Sequence, residues 1–222
     1  MDIQGQTLSR SDILALAGEV DLRLSECSLD EADLSNLDLN ACQFDRCSFK
    51  RADFTSTKLE NAQFSGCRGA MADFTAARLE ASIWRSCDLN NSRFIGAGLS
   101  EAVFTGCKLM GADFSRPRNT GVTFVETTLA SARLAGFSFR KQTLERLDFS
   151  LADLAGCDFR DSVLENCSLR ESHLVDARFE GADLRGADLG GLRLNDARRF
   201  KGATISRAQA GALLSELGLR VL

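Results

Sequence analysis

From position 24 to position 194 a large apolar residue recurs at every fifth place. Leu or Phe stands at 32 of 35 such places, and only Gly69, Trp84 and Asn119 depart. No insertion breaks the register. Two residues before each of these places a small residue is expected as a companion rule, and all eight cysteines (Cys27, Cys42, Cys47, Cys67, Cys87, Cys107, Cys157 and Cys167) fall there. A period of five fits neither the 3.6 of an α-helix nor the 2.0 of a long strand. It requires a short extended step followed by a corner. With the large residue called i, i−2 and i point inward, i−1 points outward, and i+1 with i+2 turn the chain before the next pair.

The cysteines give the number of corners per coil. Cys27, Cys47, Cys67, Cys87, Cys107 and Cys167 are separated by multiples of twenty, which stacks them on one wall of a four-walled coil; a fifteen-residue coil would scatter them over three columns. Phe54, Phe74, Phe94 and Phe114 form one column at the same spacing, and Phe139, Phe159 and Phe179 another. In a slot held elsewhere by Ala, Ser, Thr or Val, each thiol reads as a small buried hydrophobe. No Cys-x-x-Cys occurs and the lone His173 faces outward, so no metal site is expected. Parallel Cβ vectors one coil apart do not favour the dihedral a disulfide needs.

Composition bounds the function. With 222 residues and 44% apolar content the chain suffices for one sizeable core. A net charge of −4 lacks the basic surplus that direct nucleic-acid binding requires. The first residues contain neither a basic run nor an apolar stretch, so no signal peptide or membrane span is expected, and the expected location is cytoplasmic. One histidine, no phosphate loop and no nucleophile elbow lead to the expectation of no enzyme and no cofactor.

The runs A-D-L-S-N at 32–36, A-D-F-T-S at 52–56 and A-D-L-R-G at 182–186 resemble the consensus of pentapeptide-repeat proteins, and the resemblance covers about four-fifths of the chain. It implies an all-β solenoid, a right-handed quadrilateral β-helix with coils stacked about 4.8 Å apart. Leu and Phe would fill the axis, with small side chains leaving them room.

A solenoid needs caps at its ends. Three regions are expected: an N-terminal cap at 1–21, the repeat β-helix at 22–205, and a C-terminal capping or dimerisation helix and tail at 206–222. Within the first, D-I-L-A-L-A at 12–17 fits either one helical turn or an irregular coil, and Leu14 falls in the i register. After Asn195 the register slips by one, with Phe200 and Ile205 in place of 199 and 204. Ser206 is a candidate N-cap, Ala210, Leu213, Leu214 and Leu217 recur at helical spacing, and Gly218 is placed to end the helix. The helix either only caps the last coil or also builds a dimer interface from Leu213, Leu214, Leu217, Leu219 and Val221; an exposed apolar tail favours the second.

The ending Q-A-G-A-L-L-S-E-L-G-L-R-V at 209–221 is similar to that of the Qnr-type and MfpA-type quinolone-resistance members of the family. That resemblance implies a C-terminal homodimer that mimics duplex DNA, engages DNA gyrase or topoisomerase IV, and protects them from poisons. Qnr-type members often carry projecting loops. The unbroken register here is more similar to the loopless MfpA-type, which implies topoisomerase binding more directly than efficient protection.

Sorting outward residues by wall isolates one acidic face. Three walls nearly balance, whereas the wall of Leu34 carries Asp33, Asp53, Asp73, Asp113, Asp153, Asp176 and Asp196 against Arg93, Arg116, Arg133 and Arg193. Asp33, Asp53, Asp73, Asp113 and Asp153 occupy one ladder at i−1. They either imitate a row of phosphates or hydrogen-bond their own turns. The pentad around Pro117 fails at both inward positions, so a local bulge is expected there, presenting Arg116, Arg118 and Asn119 as a contact loop or as a tolerated defect. Gly69 leaves an axial gap that Phe49 is placed to fill, and Trp84 reads as a core residue. The leading expectation is a topoisomerase-binding DNA mimic; the alternative is a scaffolding repeat protein with another protein partner.

Overall fold

A computed structural model describes residues 1–16, 22–116, 121–192, 197–216 and 218–220. The chain divides into two units, Met1–Thr127 and Thr128–Leu222. Each is a β-solenoid built from four-walled coils, the architecture expected from the repeat. In the first unit, β1 (Asp2–Gln4), β2 (Arg23–Ser25), β3 (Gln43–Asp45), β4 (Gln63–Ser65), β5 (Ile83–Arg85), β6 (Val103–Thr105) and β7 (Thr123–Val125) form one parallel sheet in sequence order. From β2 onward each strand pairs with the residue twenty ahead, as in Leu24↔Phe44 and Phe44↔Phe64. In the second unit β8 (Thr143–Glu145), β9 (Val163–Ser168) and β10 (Asp183–Asp188) are stacked the same way. Isolated parallel bridges on the other walls, such as Ser28↔Ser48, Asp33↔Asp53 and Asp38↔Lys58, keep the same step.

Every corner depends on the i+2 residue. Glu31, Arg51, Met71 and most of their equivalents have φ between about +50° and +80°, the left-handed region that Asn and Gly enter most easily; Gly186 is an exception. On three walls the amide that follows closes the turn onto the large residue, as Ala32 N does to Leu29 O at 3.1 Å and Ala52 N to Phe49 O at 3.2 Å. This is the hydrogen-bonded turn with positive φ at its third residue.

The fourth corner differs, and six of the eight cysteines sit there, Cys42 and Cys157 standing at corners closed by the ordinary turn bond. After β2 to β6 no such turn bond forms among the described residues. The thiol instead donates to the large residue's carbonyl one coil back: Cys47 Sγ to Leu24 O at 3.2 Å, Cys67 Sγ to Phe44 O at 3.3 Å and Cys87 Sγ to Phe64 O at 3.5 Å. Thr127 Oγ1 replaces sulfur in that column and donates to Phe104 O at 3.3 Å. The column thus selects a small side chain with a donor, which Cys supplies with little polar cost. All eight cysteines are free and buried.

The core of the first unit is two columns of rings meeting edge to face. Phe54, Phe74, Phe94 and Phe114 stack on one wall with centroids 4.7–5.0 Å apart. Phe44, Phe64, Trp84, Phe104 and Phe124 stack on the β2–β7 wall. Contacts such as Phe74 to Trp84, 5.5 Å at 85°, join them. Each such pair adds about 0.5–1.5 kcal/mol beyond its buried area. Trp84 is fully buried, as expected of a core residue, and its indole N–H donates to Ser82 Oγ at 3.0 Å. The rule of small residues at i−2 is looser than the register: Leu37, Phe137 and Leu147 stand there and are buried.

The N-terminal residues differ from expectation. Residues before 9 are already solenoid, because β1 pairs with β2 and Leu8 is buried. Their step is 21 rather than 20, Ile3 facing Leu24. The helix α1 (Arg10–Leu16) follows, settling the choice left open for 12–16 in favour of helix; Ala17 lies outside the described residues. Its N-terminus is a capping box in which Ser9 N and Oγ donate to Asp12 Oδ2 at 2.8 and 2.6 Å. Leu14 does not continue the i register: helical periodicity turns Ile13 inward, 1% exposed, and leaves Leu14 51% exposed.

At the other end, Phe200 stacks on Phe179 at 4.9 Å and Thr204 pairs with Asp183, so the register does slip by one. The helix α2 (Arg207–Glu216) follows. Ser206 and Gln209 form its capping box, Ser206 N to Gln209 Oε1 2.7 Å and Gln209 N to Ser206 Oγ 3.2 Å. The Gln209 amide then donates to Leu184 O and Ala187 O, both at 2.7 Å, fastening the helix to its coil. Gly218, φ +81°, donates to Ser215 O, and Leu219 N donates to Leu214 O. This is the double bond of a glycine C-cap.

Candidate partner-binding face

The acidic ladder stands on the wall of Leu34. In the first unit the rungs Asp33, Asp53, Asp73, Arg93 and Asp113 are bridged in succession. Backbone bonds fix the spacing, for example Leu34 N to Asp53 O at 2.7 Å and Phe54 N to Asp73 O at 2.7 Å. Each carboxylate is also held by its own corner. Oδ1 accepts the amide two residues ahead: Ser35 N to Asp33 at 2.9 Å, Thr55 N to Asp53 at 2.8 Å, Thr75 N to Asp73 at 2.9 Å and Ser115 N to Asp113 at 2.9 Å. The Thr75 and Ser115 hydroxyls add a second bond to the same oxygen, at 2.5 Å. The pattern Asp-x-Ser/Thr therefore builds the turn and aims the charge together.

Bases meet part of this ladder. Arg93 Nη1 lies 3.2 Å from Asp73 Oδ2. Arg10, from α1, donates to Asp33 Oδ1 at 2.9 Å and Asp33 O at 3.0 Å, and to Ser35 O at 3.0 Å. Hydrogen bonds from Ser35 and the nearby Arg10 charge hold the Asp33 carboxyl below its ordinary range. Among the described residues Asp53 pairs with no base.

In the second unit the residues at the equivalent repeat position, Arg133, Asp153 and His173, are bridged in succession. Asp153 Oδ1 accepts from Ala155 N at 3.1 Å and lies 3.0 Å from His173 Nδ1. Partial burial pushes this carboxyl up, but the bonds from His173 and Ala155, with the charges of His173 and Arg133, outweigh it and leave it below the usual value.

The other expected site residues are distributed as follows. Arg116 is exposed at an ordinary i+2 corner, φ +56°, while Pro117, Arg118 and Asn119 lie outside the described residues. Leu213 is buried against the chain's own last coil; Leu214 and Leu219 are 39% and 55% exposed. Leu217 and Val221, like Arg193 and Asp196 of the acidic wall, lie outside the described residues. Sequence reasoning missed Arg10, which precedes the register and reaches a rung 23 residues away.

A cleft of about 340 Å³ lies where α2 meets its coil, lined by Arg170, Asp188, Leu189, Gln209, Leu213 and Glu216 among others. Its polar groups serve the joint: Arg170 pairs with Asp188 at 2.9 Å, and Glu216 Oε1 accepts Gly191 N at 2.9 Å. Among the described residues no group of three or more His, Cys, Asp or Glu side chains is placed to hold a metal ion. A flat wall with fixed charges can dock a surface.

Residues 20–94 and 37–114 match the family model described as pentapeptide repeat region, and residues 124–161 and 162–198 match that described as pentapeptide repeats (8 copies). No curated protein matches the chain in sequence. Among solved structures, one trypsin-treated variant of QnrB1, a plasmid-mediated fluoroquinolone resistance protein, aligns with 100% of this chain and 98% of its own at TM-score 0.70 and 20% identity. A second trypsin-treated variant aligns with 91% of this chain and 98% of its own at 0.71 and 23%, and full-length QnrB1 with 98% and 97% at 0.56 and 22%. These likenesses are of fold.

Proposed function

Because the chain belongs to the pentapeptide-repeat family, we propose that it is a non-enzymatic cytoplasmic protein that binds DNA gyrase or topoisomerase IV in place of duplex DNA. Bound in this way it protects the enzyme from topoisomerase poisons. The observation that carries the reading is the in-register column Asp33, Asp53, Asp73 and Asp113, each held by its own turn. Its pitch of about 4.8 Å is of the same order as the roughly 3.4 Å per charge along one DNA strand. Fixed charges lose little freedom on docking, and a negative face steers the protein towards a basic DNA-binding surface. The fold likeness to a fluoroquinolone resistance protein and the C-terminal segment's similarity to Qnr-type and MfpA-type endings support the same partner. The reading includes a homodimer through the C-terminus, supported by the exposed Leu214 and Leu219.

The test is a gyrase supercoiling assay with and without a fluoroquinolone. Micromolar protein is expected to slow supercoiling and to lower drug-stabilised cleavage; no inhibition together with no rescue would overturn the reading.

A scaffolding role with another protein partner is favoured by a different observation. Arg10 and Arg93 each pair with a rung, which makes the ladder less negative than its aspartates alone. Pull-down from cells that recovers no topoisomerase, with unchanged behaviour after the ladder aspartates become asparagine, would select this second reading.

A further inference from the structure

Counted as far as residue 194, where the strict register ends, the wall of Leu39 is electrically neutral. The structure redraws it in the second unit, because the wall continues past residue 194 with a step of 21. Phe200 stacks on Phe179 at 4.9 Å and 5°, Phe179 N donates to Arg199 O at 2.8 Å, and Gly181 N donates to Lys201 O at 3.2 Å. One coil earlier the equivalent bonds run from Phe159 N to Arg178 O and from Asp161 N to Glu180 O. Arg199 therefore stands in the column Ser138, Asp158, Arg178, and Lys201 in the column Arg140, Arg160, Glu180. Lys141 and Asp161 occupy the adjoining corner, followed there by Gly181 and Gly202.

With Arg198 at the same rung, Arg140, Lys141, Arg160, Arg178, Arg198, Arg199 and Lys201 share this face with Asp158, Asp161 and Glu180, and with Asp176 at its edge. Each acid already holds a guanidinium: Asp158 with Arg160 at 2.5 Å, Asp176 with Arg199 at 2.7 Å, Glu180 with Arg178 at 3.4 Å and Asp161 with Arg140 at 3.7 Å. Lys141 and Lys201 are exposed and meet no carboxylate among the described residues. The result is a basic face on a chain of net charge −4.

We propose that this wall of the second unit is a docking face for an acidic protein surface, with Lys141 and Lys201 as its unpaired cations. Charge complementarity argues for the sign of the partner. The four interspersed carboxylates argue for its class: a nucleic-acid strand carries a charge about every 3.4 Å and would meet all of them, whereas a protein surface offers discrete carboxylates that can match the pattern. The open corner at Gly202 leaves room for a partner beside Lys201, whereas the Asp161 carboxylate covers the corner at Gly181. Such exposed charges contribute to capture rate and selectivity and are screened by salt. The inference stands apart from the topoisomerase reading.

The test uses the full chain and a short fluorescein-labelled peptide with Glu at every third position, read by fluorescence anisotropy at low salt. Lys141→Glu with Lys201→Glu is expected to weaken binding roughly tenfold or more. Lys50→Glu with Lys108→Glu, the same charge change in the first unit, is expected to leave it within about twofold. Equal loss in both variants, absence of binding to the native chain, or tighter binding of a short duplex DNA than of the peptide would overturn the proposal. Matching melting curves for the two variants establish that both are folded.

Discussion

The ring of Phe49 fills the space that Gly69 leaves empty: a Cβ built on Gly69 would lie 2.0 Å from Phe49 Cε2 and 2.5 Å from Cδ2. The two residues occupy the same column on adjacent coils, and Phe49 leans across to meet Phe54, Phe64 and Phe74 edge to face. Gly69→Leu restores the repeat's own consensus. It is nevertheless expected to destabilise the chain by about 1–3 kcal/mol, because a filled core has no room for it. Phe49→Leu in the same chain is expected to recover part of the loss. Thermal unfolding of the two single variants and the double variant measures the coupling.

Strain at the corners gives a prediction of opposite sign. Leu151 is 60% exposed at φ +60°, a conformation imposed by the corner and not by its side chain. Leu151→Gly is expected to stabilise by an amount up to about 1 kcal/mol, since relief of left-handed strain of about 1–3 kcal/mol exceeds glycine's entropic cost of about 0.5–1 kcal/mol. Leu151→Val, β-branched, is expected to destabilise. Urea midpoints of the three proteins decide the order.

The cysteines fix a response to alkali. Burial pushes the Cys42 and Cys47 thiols up to about 11 and that of Cys157 up to about 12. Their folded values lie above the unfolded one of about 8.5, so their contribution is complete below that pH. It is lost as pH rises from there through the folded values, because the unfolded chain releases its protons first. The urea midpoint is expected to fall from about pH 9 upward, and replacing Cys47 and Cys157 by Ala is expected to make that fall shallower. Iodoacetamide is expected to label the native chain only at the rate of unfolding.

The C-terminus carries the proposed dimer. Leu214→Glu with Leu219→Glu is expected to yield monomer in sedimentation without loss of helix, since both side chains are exposed in the single chain. Leu213→Glu is expected to destabilise the chain itself, its side chain being buried on the last coil.

The wall-and-corner architecture was legible because every pentad repeats one physical requirement, and an error in any one is corrected by its neighbours. Trp84, the gap at Gly69, the slip at Phe200 and the cap at Ser206 could all be read from the residues. What escaped lies where the step is not twenty. Ile3 and Leu8 are five apart with Gly5 at their corner, a weak signal of an earlier coil, but the 21-residue step to Leu24 hid it. The same step hid Arg199, which a strict count turns inward, from the outer side of the Leu39 wall. Leu14 shows the opposite error, a chance match to the period inside a helix. For the ladder, the positions were legible and the partners were not, because Arg10 reaches Asp33 from outside the repeat.

The central claim is that the ladder acts through its charge and not only through its turns. Asparagine separates the two, since its amide oxygen still accepts the turn N–H while the charge is gone. The direct measurement is the affinity of purified gyrase for the native chain and for the variant with Asn at 33, 53, 73, 113 and 153. The variant is expected to keep an unchanged melting temperature and to bind roughly tenfold or more weakly at physiological salt. Equal affinity of the folded variant, or no binding of the native chain, would contradict that claim.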